Sequence, residues 1–135
     1  MEIQKGSFLY FAAKNLDAAK ILFSHDLDEA CIQCQQCIEK SLKAVIEARG
    51  EKPPYVHNLN VLAEKSGMES LKEFDSDLRF INSTYFDLSY PSSYAPVTEK
   101  SAKIALSVAE DIYNKCKIEV SRLQESFEPT DLFKD

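Results

Sequence analysis

The sequence predicts an all-α protein, an antiparallel up-and-down helical bundle of four long helices and one short helix. Apolar residues recur at spacings of three and four in five successive stretches, as they do on one face of a helix. Glycine and proline fall between these stretches, where the chain has to reverse. No stretch alternates apolar and polar residues as a half-buried strand does. Since 135 residues suffice for one core, we predict a single domain over residues 1–135.

The bundle is predicted to be organised around a second helix over residues 28–49. This stretch contains no glycine or proline, and its charge runs from acidic at the start to Arg49 at the end, as the helix dipole prefers. Gly50 supplies a left-handed stop. The apolar and small residues form a wide stripe, which predicts contact with more than one neighbouring helix. The stripe comprises Cys31, Cys34, Cys37, Ile38, Ser41, Leu42, Val45 and Ile46.

The first helix is predicted over residues 8–24. Ser7 is its cap. The face that we expect to point inward comprises Phe8, Phe11, Ala12, Leu16, Ala19, Leu22 and Phe23. The link to the second helix is short, so the two helices are expected to be antiparallel neighbours.

Two helices follow the second one. Residues 58–66 form the short helix, with Asn58 as its cap. Residues 70–88 form the fourth helix, because Ser70 and Glu73 have the spacing of a capping box and an apolar seam follows them.

The last helix is predicted over residues 98–126, with Thr98 as its cap. At a rise of about 1.5 Å per residue it would be roughly 40 Å long. A bundle of shorter helices cannot cover that length, so the part from Ile118 onward is expected to pack on another subunit or to project. Residues 128–135 are expected to be a loose tail.

Charge and hydropathy exclude several classes of protein. The formal net charge of -6 argues against a protein that coats nucleic acid, so no DNA partner is expected, although a small basic pocket is compatible with it. The apolar runs are too short to span a membrane, and the first residues do not resemble a signal peptide. We therefore expect a cytoplasmic protein without membrane contact.

Four cysteines have to be explained. Cys31, Cys34 and Cys37 are spaced by three residues, and Cys116 lies far along the chain. On one helix, six residues turn about 600°, so Cys31 and Cys37 would lie about 120° apart and would not converge on one metal ion. We predict reduced cysteines that pack as small apolar residues, with no metal site and no cofactor.

The second helix also carries a more specific pattern. Residues 35–44, QQCIEKSLKA, resemble the signature of the HEPN family, in which a QQAxEKxLKA-like helix follows a first helix and a short turn. Residues 57–59, HNL, are similar to the His-x-Leu sequence that enters the family's third helix. Tyr85 and the Tyr-Pro at 90–91 stand where the family often carries Tyr and Arg-Tyr-Pro. The resemblance covers residues 8–120.

The resemblance implies a small bundle of four or five helices that commonly forms dimers. Many family members are encoded with, or fused to, minimal nucleotidyltransferase domains. One branch consists of metal-independent RNases that cut RNA with an Arg-x4-6-His motif. Another branch lacks the motif and binds nucleotides or serves as a partner module.

The RNase motif is absent at the expected spacing. The chain has three arginines and two histidines, and Arg49 is the arginine with a downstream histidine at short range. Seven residues separate Arg49 from His57, which is outside the family spacing, and position 89 holds Ser89 where the family often has its other arginine. We predict no catalytic residues and interpret Arg49 as a solvated cation at a helix end.

Polar residues at the margins of the bundle predict a nucleotide site. Lysine, arginine and histidine would bind phosphate, and an exposed tyrosine would stack on a base. A surface ion pair of Glu39 with the lysines, and capping by the histidine, are the structural alternatives. The predicted nucleotide-binding residues are Lys40, Lys43, His57, Arg79 and Tyr90.

Three functions remain open from the sequence. The leading hypothesis is a non-catalytic homodimer that binds a nucleotide, serves a minimal nucleotidyltransferase partner, or does both, within a toxin–antitoxin-like pair. The first alternative is an RNase toxin of the same fold with an atypical Arg/His site formed by Arg49 and His57. The second alternative is a purely structural helical dimer.

Overall fold

The computed structural model describes residues 2–126, and these residues contain five α-helices and no strand. Two 3₁₀ helices, Glu69–Phe74 and Pro91–Ser93, flank the fourth α-helix. The predicted all-α class is confirmed. The α-helices are α1 (Phe8–Leu22), α2 (Leu27–Ala48), α3 (Leu59–Ser66), α4 (Asp75–Ser89) and α5 (Glu99–Ser126).

Helix α2 lies at the centre, as its wide apolar stripe predicted, and it contacts each of the other four α-helices. It begins one residue earlier than expected, because the Asp26 side chain accepts a hydrogen bond from the Glu29 N–H at 3.1 Å. Every residue of the predicted stripe is buried. Three polar residues, Gln35, Glu39 and Lys43, are buried with them, which the apolar pattern did not reveal.

The predicted caps of α1, α3 and α5 are confirmed. The Ser7 side chain accepts from the Tyr10 N–H, the Asn58 side chain from two N–H groups of α3, and the Thr98 hydroxyl from the Ser101 N–H. Each satisfies backbone donors that have no partner within the helix. Gly67 ends α3 at a φ of 71°, in the left-handed region.

The predicted helix over 70–88 is wrong in its first turn. The segment Glu69–Phe74 is a 3₁₀ helix, and α4 begins at Asp75. Ser70 lies inside this segment, so the predicted capping box does not form. Leu71 and Phe74 are both buried and three residues apart. A 3₁₀ helix places residues at this spacing on one side, which brings both side chains into the core.

The predicted inward face of α1 is confirmed at Ala12, Leu16 and Ala19 and is wrong at Phe11. Leu9, Ala12, Leu16 and Ala19 are buried, whereas Phe11 is 44% exposed. Each residue turns a helix by about 100°, so Phe11 lies about 200° around the axis from the buried Leu9 and on the more exposed side of the helix. The buried set includes small residues, and these allow α1 to approach α2 closely.

Helix α5 stays on the bundle to its end. Ile118 is exposed, but Val120 and Leu123 are buried and belong to the same core as the preceding turns. The expectation that the helix projects from Ile118 onward is therefore wrong, while packing of this part on another subunit stays a prediction. The predicted tail at 128–135 lies outside the described residues. In the part of the chain that is described, no helix is long and apolar enough to cross a membrane.

Candidate functional site

A groove of about 680 Å³ runs between the start of α3 and the outer face of α4. Its volume falls within the range of small-molecule sites. Three of the five predicted nucleotide-binding residues, His57, Arg79 and Tyr90, line this groove. The full lining is His57, Asn58, Arg79, Asn82, Ser83, Tyr85, Phe86, Ser89 and Tyr90.

Asn82 of α4 fixes the start of α3, which forms one edge of the groove. Its side-chain oxygen accepts from the Leu59 N–H at 2.9 Å, and its amide nitrogen donates to the Asn60 side chain at 2.8 Å. Asn58 occupies the remaining N–H groups of this helix end. The backbone donors of α3 are therefore already used, and a ligand in the groove has to be held by side chains.

A buried polar cluster lies behind His57 and consists of Gln35, Glu39 and Lys43. The Glu39 carboxylate accepts from the Lys43 ammonium at 3.1 Å and from the Gln35 amide at 3.1 Å. The same Gln35 amide donates to the backbone oxygen of His57 at 3.2 Å. All three side chains lie on α2, one helical turn apart, so the helix itself assembles the cluster.

Glu39 also bonds the imidazole of His57, with 2.9 Å between Oε1 and Nδ1. Burial acts to raise the pKa of Glu39, but the hydrogen bonds from His57, Gln35 and Lys43 outweigh it and lower the pKa overall. An ionised carboxylate can only accept hydrogen bonds, so Nδ1 of His57 carries the hydrogen. His57 was expected to cap α3 or to touch a ligand, and its side chain instead bridges the buried cluster and the groove.

The two predicted lysines point away from the groove. Lys43 is buried and paired with Glu39, so the interpretation of this pair as a surface ion pair is wrong. The Lys40 ammonium donates to the Asn15 side chain at 2.9 Å and lies 5.8 Å from the centre of the Phe11 ring. Lys40 therefore faces α1, and the structure does not bring these two residues together with the other three.

Arg49 is not the solvated cation that the sequence predicted. Its guanidinium donates to the Ser66 backbone oxygen and to the Glu119 carboxylate, both at 2.6 Å. It packs against Gly67, where an added Cβ would lie 3.5 Å from Nε. Arg49 thus ties the ends of α2 and α3 to α5. It is absent from the groove lining, so the structure does not assemble Arg49 with His57.

Two aromatic rings form one wall of the groove. The centroids of Phe86 and Tyr90 lie 4.6 Å apart, and both rings are about half exposed. Tyr85, on the same wall, accepts a hydrogen bond from the Gln36 amide at 3.4 Å. Tyr94 lies apart from the groove, because its hydroxyl donates to Asp28 at 2.6 Å.

Sequence reasoning missed Phe86, Asn82 and Glu39 as parts of the site. The spacing of four between Phe86 and Tyr90 was visible and indicates neighbouring rings on a helix. The role of Asn82 depends on a contact with α3, 22 or more residues away along the chain, for which the sequence gives no local signal.

The cysteines are buried and unpaired by disulfides, as predicted for packing residues. Burial, with a smaller contribution from Asp28, raises the pKa of Cys31 to about 11, and burial raises that of Cys37 to about 12. Burial also raises the pKa values of Cys34 and Cys116. Thiols of this kind stay protonated and are poor nucleophiles. Within residues 2–126, no group of three or more His, Cys, Asp or Glu is placed to hold a metal ion.

Comparisons with known proteins agree with this architecture. The family model described as HEPN domain matches residues 7–119, which is most of the chain. A search of curated proteins and a search of solved structures find no match.

Proposed function

Because the chain belongs to the HEPN family, we propose that it is a non-catalytic module whose groove between α3 and α4 binds a nucleotide. The observation that carries this proposal is the shared position of His57, Arg79 and Tyr90. A cationic side chain, an imidazole and an aromatic ring line one cavity, although they are far apart in the sequence.

The base is proposed to lie against Phe86 and Tyr90. Their rings form an apolar surface that is half exposed, and stacking on such rings is worth about 1–3 kcal/mol per base. Stacking tolerates any base, so this wall supports binding without selecting a particular nucleotide.

The phosphate is proposed to lie between His57 and Arg79. Arg79 currently pairs with Asp75 at 2.9 Å, and both side chains are well exposed. An exposed ion pair contributes little to stability, so the guanidinium can turn to a phosphate at small cost. An arginine that turns in this way can bind two phosphate oxygens at once.

Calorimetry with ATP and with adenosine tests the site. Tyr90→Ala should weaken both ligands about tenfold, because both carry the base. Tyr55→Ala is the matched control, since Tyr55 is exposed but does not line the groove. Arg79→Ala should weaken ATP and leave adenosine unchanged, whereas the control Arg122→Ala should affect neither.

Absence of any heat at millimolar nucleotide would overturn the proposal. If no protein partner is found either, the purely structural helical dimer becomes the better account of this chain.

The partner role is part of the same proposal. Family membership supports a homodimer that works with a minimal nucleotidyltransferase in a toxin–antitoxin-like pair. Co-expression with a minimal nucleotidyltransferase encoded beside it, followed by size-exclusion chromatography with light scattering, tests both statements. A monomer that elutes separately from that enzyme contradicts them.

An RNase is the second candidate, and one observation favours it. Arg79 and His57 line the same groove, so an arginine and a histidine meet in space without the family's sequence spacing. Incubation with cellular RNA should then show cleavage that Arg79→Ala and His57→Ala abolish and His25→Ala preserves. Intact RNA after incubation with the wild-type protein excludes this candidate and leaves the non-catalytic proposal in place.

A further inference from the structure

We propose that the groove binds the anionic group of its ligand by taking up a proton at Nε2 of His57, and that Glu39 is the positioning residue for this step. The inference rests on the proposed function and specifies the chemistry of the same groove. It follows from one geometric fact, the hydrogen bond between a buried carboxylate and an exposed imidazole.

The two nitrogens of His57 have different surroundings. Nδ1 is 2.9 Å from Glu39 Oε1 and carries a hydrogen, because an ionised carboxylate accepts and cannot donate. The side chain as a whole is 71% exposed and lines the groove, so Nε2 is the nitrogen available to a ligand. In neutral imidazole this Nε2 is a hydrogen-bond acceptor and repels an anionic oxygen. After protonation it becomes a donor that matches a phosphate oxygen.

The other charges around His57 cancel in pairs, so the protonation of the imidazole decides the net charge of the groove. Glu39 is balanced by Lys43 on α2, and Arg79 is balanced by Asp75 on α4. Tyr85 and Tyr90 line the same groove, and the Tyr85 hydroxyl accepts a hydrogen bond from Gln36. The net charge of these groups is zero when His57 is neutral and +1 when His57 is protonated. The charged and titratable groups around His57 are Glu39, Lys43, Asp75, Arg79, Tyr85 and Tyr90.

Glu39 also holds the ring in place. Its other oxygen is bound to Lys43, and Gln35 bonds both the carboxylate and the His57 backbone oxygen. The imidazole is therefore attached through its ring and its backbone to one turn of α2. This attachment fixes the ring orientation before any ligand arrives, which reduces the ordering cost of binding.

A cyclic nucleotide is the suitable probe, because its phosphodiester keeps a single negative charge across the range in which imidazole titrates. Adenosine supplies the same base without that charge. For the wild-type protein, the affinity for cyclic AMP should fall about tenfold between about pH 5.5 and about pH 8, while the affinity for adenosine stays constant. The sign follows from the proposal, since the anion prefers imidazolium and imidazolium is lost as pH rises.

Variants separate the imidazole from the rest of the groove. His57→Gln should bind cyclic AMP weakly and without pH dependence, and His25→Gln, at the chain's other histidine, should behave like the wild type. Glu39→Gln should let the ring adopt both neutral tautomers, which ¹⁵N NMR of the imidazole detects. Because Glu39→Gln leaves Lys43 with a weakened buried partner, the double variant E39Q/K43M repeats the NMR measurement in a protein without that charge.

The possible failures are distinguishable. Binding of cyclic AMP that does not change with pH, or a single unchanged His57 tautomer in both Glu39 variants, overturns this inference and leaves nucleotide binding intact. Absence of binding by both probes at every pH overturns the inference and the proposed function together.

Discussion

Two polar clusters attach the short helix α3 to the central helix α2, one at each end, and they differ in what they leave exposed. At the start of α3, Glu39 and Gln35 hold the side chain and backbone of His57. At the end of α3, Arg49 holds the Ser66 backbone oxygen and reaches across to Glu119. The first cluster ends on an exposed imidazole in a groove. In the second cluster, the Arg49 guanidinium is bound to protein groups on both sides, the Ser66 backbone oxygen and the Glu119 carboxylate.

The difference separates a structural ion pair from a candidate site. Glu39 lies on α2 and Arg49 directly follows it, and both are charged and hydrogen-bonded, so neither charge nor hydrogen bonding distinguishes the two clusters. What distinguishes them is the free nitrogen of His57 and its position in a cavity. A carboxyl with a shifted pKa therefore indicates a binding site here only when its hydrogen-bond partner is accessible to a ligand.

The largest expected effect is the loss of the first cluster. Glu39→Ala leaves the Lys43 ammonium buried without its carboxylate and should lower the free energy of unfolding by about 3–5 kcal/mol. Urea unfolding followed by circular dichroism measures this change. E39Q/K43M removes both charges and should recover most of the loss. Equal destabilisation of the two variants would show that charge pairing is not the cause.

The second cluster should have a smaller effect. Arg49→Ala removes hydrogen bonds to Ser66 and Glu119 and should cost about 1–3 kcal/mol in the same urea assay. Arg122→Ala is the matched control, because Arg122 bonds the same Glu119 from an exposed position and should cost clearly less than Arg49→Ala. Similar losses in both variants would contradict the structural role assigned to Arg49.

Acid should weaken both clusters. The pKa of Glu39 is lowered, and that of Glu119 is lowered chiefly by its hydrogen bond to Arg122, with Arg49 adding to the effect. A carboxyl whose pKa is lower in the folded than in the unfolded state stabilises the fold above the unfolded value, about 4.3, and this contribution disappears as pH falls. Each such carboxyl should add up to about 1.4 kcal/mol per pH unit to the slope of the free energy of unfolding against pH.

Urea midpoints between about pH 6 and about pH 3 test that slope. E39Q/K43M should show a shallower acid dependence than the wild type, because one of the two carboxyls is gone. An identical dependence in both proteins would exclude Glu39 as a source of acid sensitivity.

The smallest effects concern the caps. Asn58→Ala should cost about 1 kcal/mol, since the side chain caps α3 and also accepts from Asn82. Ser70→Ala should change stability by less than about 0.5 kcal/mol, because the predicted capping box is absent from the structure. If Ser70→Ala lowered the free energy of unfolding as much as Asn58→Ala, the capping box would have to form after all.

Periodicity predicted the bundle well because burial of apolar residues obeys helix geometry. The stripe on α2, the seam of α5 and three of the caps follow from local spacing alone. Periodicity failed where the interior is polar, as at Glu39 and Lys43, because charged residues on a helix are ordinarily solvated. It also failed at Glu69–Phe74, where a spacing of three fits both an α-helix and a 3₁₀ helix.

The candidate site was predicted in part. His57, Arg79 and Tyr90 were chosen for their chemistry, and the groove brings them together. Lys40 and Lys43 were chosen for the same reason, but their partners, Asn15 and Glu39, are determined by helix packing and by the opposite charge one turn away. Arg49 illustrates the same limit, since its partners, Ser66 and Glu119, belong to two other helices.

The contact between Tyr94 and Asp28 has a consequence for how the chain enters α5. Asp28 accepts the Tyr94 hydroxyl at 2.6 Å and the Val97 N–H at 2.9 Å, so the crossover after α4 is fastened at its far end to the beginning of α2. The starting point of α5 is thereby set by α2 and not by the length of the crossover. Extra residues inserted at 92–93 should bulge outward without shifting the position of α5 on the bundle, which makes this position a suitable place for a spectroscopic or affinity label.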